Sequence, residues 1–139
     1  MRGVVVAHLV SVSAYAGFQW TVLLVVYPQL AQVPPAAFAS YERTHQQRIA
    51  RLVASLFAAL VLTTALLVLG PGGTDLLPLV SAVLVLVVLS VTGLVAVPLH
   101  RRLGHGWDPQ AHHRLLRVDA VRVAAATANV VVTLLIALH

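Results

Sequence analysis

The stretch VPLHRRLGHGWDPQAHHRLLRVDAVR, residues 97–122, gathers His100, Arg101, Arg102, His105, Asp108, His112, His113, Arg114, Arg117, Asp119 and Arg122 in a chain otherwise almost bare of charge. Behind it runs the apolar segment Leu76 to Leu99, and ahead of it lie sixteen charge-free residues, Val123 to Leu138. At 1.5 Å per residue those sixteen reach roughly 24 Å, short of a ~30 Å hydrocarbon core, so Asp119 and Arg122 are drawn to the membrane edge or inside it. The stretch therefore joins two membrane helices and enters the second of them.

The rest of the composition agrees. Hydrophobic residues make up 60% of the 139 positions, against roughly 45–50% in soluble domains. Only helices or closed barrels span lipid, because backbone polar groups find no water there. Long unbroken apolar runs select helices. The fold class expected is all-α, a single four-helix transmembrane domain over residues 1–139, with helices at about 4–27, 35–69, 75–103 and 109–138, antiparallel neighbours and short loops. No repeat, linker or second domain is evident. Val4 to Val26 is long enough to span and reads as a retained helix, unlike the short core of a signal peptide.

There is no cysteine, which excludes disulfides, thiolate metal sites and a cysteine nucleophile. The net charge of +5 comes from nine Arg and no Lys against four acids. In this setting it reads as a basic flank against anionic headgroups, with the lipid bilayer as partner and no nucleic acid. Loops 1–2 and 3–4, with their helix ends, carry eight of the nine Arg. The positive-inside rule then predicts a cytoplasmic basic side and both termini outside, in the plasma membrane of a bacterium.

Along the chain, His8, Ser11, Tyr15 and Gln19 share one face of helix 1, as a cavity wall or as hydrogen-bonding glue between helices. Helix 1 is expected to end at Pro28 and Pro98 to kink helix 3, since proline cannot continue the hydrogen-bond ladder. Pro34-Pro35 opens helix 2, Thr74 or Asp75 caps helix 3, and Asp108-Pro109 is a strong start for helix 4. On helix 2, Glu42, His45 and Arg48 step by three toward a common region. On helix 4, His112, Asp119, Arg122, Ala126, Asn129 and Thr133 form one stripe, which turns His112 inward and His113 away.

Intramembrane ionisable groups are functional candidates by default. The catalytic candidates are His45, Arg48, His100, His112, Asp119 and Arg122, and Tyr15, Gln19, Trp20, Tyr41 and Asn129 are candidates for substrate contact. Asp119 with Arg122 also reads as a self-satisfied ion pair. Glu42-x-x-His45 has di-iron spacing, but one such motif and four acids are too few for that site. A mononuclear copper or iron site ligated by His45, His100, His112 and Glu42 stays open. Bis-histidine haem is the weaker idea, since His8 stands near the opposite surface. A cofactor-free alternative makes His45 a general base, with Arg48 or Arg122 holding the anion formed from a hydrophobic small-molecule substrate.

The segments YPQLAQVPPAAFASYERTHQQRI, VAVPLHRRL and HHRLLRVDAVR together resemble the small four-helix membrane family that includes the anthrone oxygenases. The likeness runs from about Tyr15 to Leu138 and rests on Tyr27-Pro28, on Tyr41, His45 and Arg48 at the entry of helix 2, on the end of helix 3, and on the opening of helix 4. His100, Leu116 and Asp119 depart from the family pattern, which more often has Asn after helix 3 and Trp and Asn before the Arg of helix 4. The resemblance implies a monooxygenase-type oxidoreductase that uses oxygen to oxidise an activated, often polyketide-derived ring. The competing expectation is a non-catalytic small membrane subunit or transporter binding lipid, ion or a partner helix, for which a homo-oligomer burying the His8–Gln19 face between chains would speak.

Overall fold

The computed structural model describes residues 2–138. Four helices, each long and apolar enough to cross a membrane, make up the fold: α1 (Arg2–Leu30), α2 (Pro35–Leu69), α3 (Leu76–Leu103) and α4 (Pro109–Leu138). No strand occurs among the described residues. The protein is an all-α four-helix bundle. Helix α4 packs along α1 and α3, α1 packs on α2, and α2 meets α3 least closely. Leu24, Leu62, Leu86 and Leu94 point outward and are exposed, as suits a surface whose solvent is hydrocarbon.

Helix α2 begins and ends, and α4 begins, where their punctuation predicts. Pro35 and Pro109 stand at the first helical position, where the missing N–H would be unsatisfied in any case. Asp108 Oδ1 accepts from the amides of Gln110 and Ala111 at 3.0 and 3.1 Å. Those bonds, the Ala111 amide foremost, together with Arg102, hold the Asp108 carboxyl below its usual range. At the start of α3, Asp75 occupies the cap position, but its side chain makes no capping bond.

Of the two internal prolines, Pro28 departs from the expectation, while α3 runs through Pro98 within the expected 75–103. Helix α1 does not stop at Pro28: it passes through to Leu30, and α3 passes through Pro98 to Leu103. Each proline is preceded by one π-helical turn, Val22–Val26 in α1 and Thr92–Ala96 in α3. Within these turns the Tyr27 amide bonds to Val22 O and the Val97 amide to Thr92 O. The wider i→i+5 turn re-partners the backbone just where a proline has no donor to give, so the helix survives. The device recurs in both hairpins, a correspondence that the expectation of no repeat does not include. It extends to α2 and α4, where His45 and Arg48, and Asp119 and Arg122, lie ten and thirteen residues beyond Pro35 and Pro109.

Away from the basic end, His8 stitches three helices together. It is fully buried, with Nδ1 3.0 Å from Thr63 Oγ1 on α2 and Nε2 2.8 Å from Ser81 Oγ on α3. Thr63 already donates to Ala59 O at 2.7 Å, so it accepts from His8 Nδ1–H, and His8 Nε2 accepts from Ser81. His8, Tyr15 and Gln19 of that face are buried within the chain, His8 as interhelical glue, while Ser11 is only partly buried and donates to Ala7 O at 2.9 Å. Replacing His8 by Phe leaves the Ser81 hydroxyl without its partner and should lower unfolding stability in detergent by about 1–3 kcal/mol. Thermal melts followed by circular dichroism would check this, and an unchanged midpoint would contradict it.

Candidate functional site

At the basic end, one chain of hydrogen bonds links all four helices. It starts on α2, where Gln46 Nε2 donates to Glu42 Oε1 at 3.1 Å and to the His100 carbonyl at 2.7 Å. Glu42 Oε1 lies 2.6 Å from His100 Nδ1 on α3, and His100 Nε2 lies 3.0 Å from the Tyr27 hydroxyl on α1. Arg122 on α4 donates to that hydroxyl at 3.1 Å and to Thr92 Oγ1 at 3.3 Å. Arg122 also pairs with Asp119 one turn away, and Asp119 Oδ1 accepts from Gln19 Nε2 at 2.7 Å. Glu42 and Asp119 are wholly buried, and Arg122 nearly so.

The length of α4 explains why charge is buried here. A helix whose apolar part is too short to span draws its last charged residues into the bundle, where each needs a partner. Asp119 and Arg122 at i,i+3 supply one another, and Gln19 and Tyr27 take up further bonding capacity. The pair is self-satisfied in part only: Asp119 Oδ2 and Arg122 Nε are buried without a partner among the described residues.

Tyr27 is the hub, a residue that the sequence marks in Tyr27-Pro28 but to which it assigns no role in the site. Counted from Gln19 at the α-helical period, position 27 falls about 80° away from the polar face of helix 1. The π turn at Val22–Val26 takes up one extra residue and brings Tyr27 back onto the buried face with Tyr15 and Gln19. The one available signal was a polar aromatic directly before a proline. Gln46 and Thr92 were missed for a plainer reason, since neither carries charge.

The remaining candidates separate. His112 is buried and His113 exposed, as helical phase required. His112 does not join Glu42, His45 and His100, however. Its Nε2 donates to the Tyr27 carbonyl at 2.8 Å, in the last turn of α1, where carbonyls lack helical partners. Its ring packs on Trp107 with centroids 5.0 Å apart. Trp20 is 44% exposed on the outer surface and donates to Thr127 at 3.1 Å. It is one residue, and so about 100°, from the inward Gln19. Tyr15 and Asn129 are buried together in a tightly packed layer deeper in the bundle.

Two spaces flank the basic half of α2. The larger, a cavity of about 740 Å³, lies between α2 and α3 and reaches Gln19, Tyr27, His100 and Arg122 at its back. Its walls are apolar, including Val53, Phe57, Leu89 and Ala96. Exposed Ala50, Ala54, Gly93 and Val97 at its edge show that it opens sideways, in the direction lipid occupies. Small side chains on both helices leave this gap where α2 and α3 fail to close. The second space, about 480 Å³ between α1 and α2, is lined by Tyr41, His45 and Arg48. The site residues read from the sequence thus fall on both sides of α2, with His45 and His100 rings 5.9 Å apart across it.

Comparisons with protein-family models, with curated proteins and with solved structures return no match for this chain.

The ion pair yields a direct expectation. Asp119→Asn or Arg122→Gln alone strands a buried charge and should cost about 3–5 kcal/mol of unfolding free energy. The double variant should cost well under the sum. Denaturant unfolding in mixed micelles measures the cycle, and additive losses would show that the two side chains do not depend on each other.

Proposed function

We propose that this chain is a membrane-embedded oxidoreductase of the anthrone-oxygenase type, oxidising a hydrophobic, activated ring with molecular oxygen. The observation that carries the reading is the lateral cavity of about 740 Å³, largely apolar along its walls, with Gln47 and Arg101 at its rim and His100, Tyr27, Arg122 and Gln19 at its back. A flat apolar ring can enter from the bilayer between Ala50, Ala54, Gly93 and Val97 and meet the buried polar groups at the back.

The chemistry asks for two things, and residues for both line the cavity. The first is a proton acceptor for an acidic ring methylene, supplied by the imidazole and carboxylate cluster to which His100 belongs, with Glu42 at its Nδ1. The second is a wall of donors for the enolate oxygen that forms, supplied by the Tyr27 hydroxyl and by the unpartnered, buried Nε–H of Arg122. Asp119 and Gln19 hold Arg122 in place. The electron-rich carbanion then reacts with O2. The balance is one methylene plus one O2 giving one ring carbonyl plus one water, with no external reductant. Arg48 and Tyr41 face the second groove, so their part is to attract an anion at the headgroup level.

Orientation follows the charge: the basic end, and with it the site, faces the cytoplasm of a bacterial plasma membrane, with both termini outside. The reading of the chain as a non-catalytic subunit or transporter is the outcome to set against this one.

The test is oxygen uptake by membranes containing the protein, given an anthrone-type ring. One O2 should be consumed per ring carbonyl formed. Tyr27→Phe should lower turnover on the order of 100-fold. Gly93→Phe, placed where an added side chain meets open space, should block entry without disturbing the fold. His113→Ala should leave the rate unchanged. No uptake above empty membranes, with Arg122 variants changing only assembly or transport, would favour the non-catalytic reading.

A further inference from the structure

Three side chains in the polar array converge in a way that hydrogen bonding alone does not satisfy. Glu42 and His45 lie one turn apart on α2, and His100 comes from the last turn of α3. One ligand atom from each lies within 4.8 Å of the other two. Donors about 2.0–2.2 Å from a common metal ion stand roughly 3–4 Å from one another, so small side-chain rotations bring these three to one centre.

The unmet bonding capacity lies in the same place. Glu42 is fully buried, yet its Oε2 has no partner among the described residues. His45 Nε2 is likewise buried and unpartnered. Buried polar atoms are normally paired, and each that is not costs free energy. Two orphaned ligand atoms on adjacent turns, beside a third donor, are what a cation would satisfy together. The outer contacts suit this as well. His100 holds Nδ1 2.6 Å from Glu42 Oε1 and Nε2 3.0 Å from the Tyr27 hydroxyl, so ligation through Nδ1 releases the proton shared with Glu42 and leaves Nε2–H donating to Tyr27. Gln46 Nε2 steadies the carboxylate through Oε1 and leaves Oε2 unencumbered.

We propose that Glu42, His45 and His100 form a three-ligand site for a divalent first-row transition metal, in the two-histidine, one-carboxylate pattern suited to iron(II). Two imidazoles and a carboxylate from the protein leave the remaining coordination positions open. His100 also lines the large cavity, so those positions are within reach of whatever enters it. His112 is not a ligand, because its Nε2 serves the Tyr27 carbonyl. The inference concerns the same array as the proposed oxidation, but it stands on donor geometry. The donors that take up a proton in that scheme hold the cation when it is bound.

Anaerobic titration of the purified full chain in detergent, with iron(II) and with cobalt(II) as an optical probe, tests it. One equivalent should bind per chain, with visible cobalt bands and a raised thermal midpoint. Glu42→Gln and His45→Ala should each weaken binding at least tenfold, while His113→Ala and His105→Ala at exposed positions should not. Glu42→Gln keeps the shape and the contact with Gln46. Should it fail to fold, the partly exposed His45→Ala decides the matter alone. Substoichiometric binding by the wild-type chain, or equal weakening by the His105 and His113 variants, overturns the site. A bound metal without ring oxidation would leave the site standing and remove only the oxidation. Ring oxidation by a chain that binds no stoichiometric metal would keep the oxidation and remove the site.

Discussion

The structure depends on Asp119 and Arg122 being buried together at the membrane edge. Neither charge can be left alone in that environment, and each has bonding capacity beyond what the other supplies. The surplus recruits Gln19 and Tyr27 from α1 and Thr92 from α3. From Tyr27 the chain continues through His100 to Glu42 and Gln46 on α2. The ion pair therefore organises the polar end of the bundle, and the groups it gathers form the back of the lateral cavity.

Backbone geometry makes that gathering work. Without the π turn at Val22–Val26, Tyr27 would face away from Gln19, and the link between Arg122 and His100 would be missing. Pro28 and the π turn act together, the one removing a donor and the other re-partnering the ladder around it. The second turn, at Thr92–Ala96, places Thr92 against Arg122 and leads α3 through Pro98 to His100. Loose contact between α2 and α3 at this level is the complement of tight contact elsewhere. Small residues such as Ala50, Gly93 and Ala96 leave the gap there.

Much of this was legible in the sequence. Helices α2 and α4 run over 35–69 and 109–138 as read, because Pro35, Gly70 and Asp108-Pro109 are strong local punctuation. The burial of His112, Asp119, Arg122, Asn129 and Thr133 followed from period alone. So did the sharing of one face by Glu42 and His45. Pro28 was harder, since the rule that a proline ends a helix assumes α geometry on both sides. Tyr27 was hidden by the same one-residue shift. Trp20 was drawn in by its neighbour Gln19, although adjacent helical residues point about 100° apart. For His112 the direction was right, but its partner was not readable, because a sequence does not show which carbonyl at the end of another helix lacks a donor.

The central claim is that the polar array forms the back of a binding cavity open to the bilayer between α2 and α3. Intermolecular nuclear Overhauser effects between an anthrone-type ring and methyl-labelled protein in micelles test it most directly. Contacts to the methyls of Ala50, Val53 and Val97, which line the cavity, are expected. Contacts confined to the outward methyls of Val121, Val131 and Leu134, or spread evenly over all lipid-facing methyls, would contradict it.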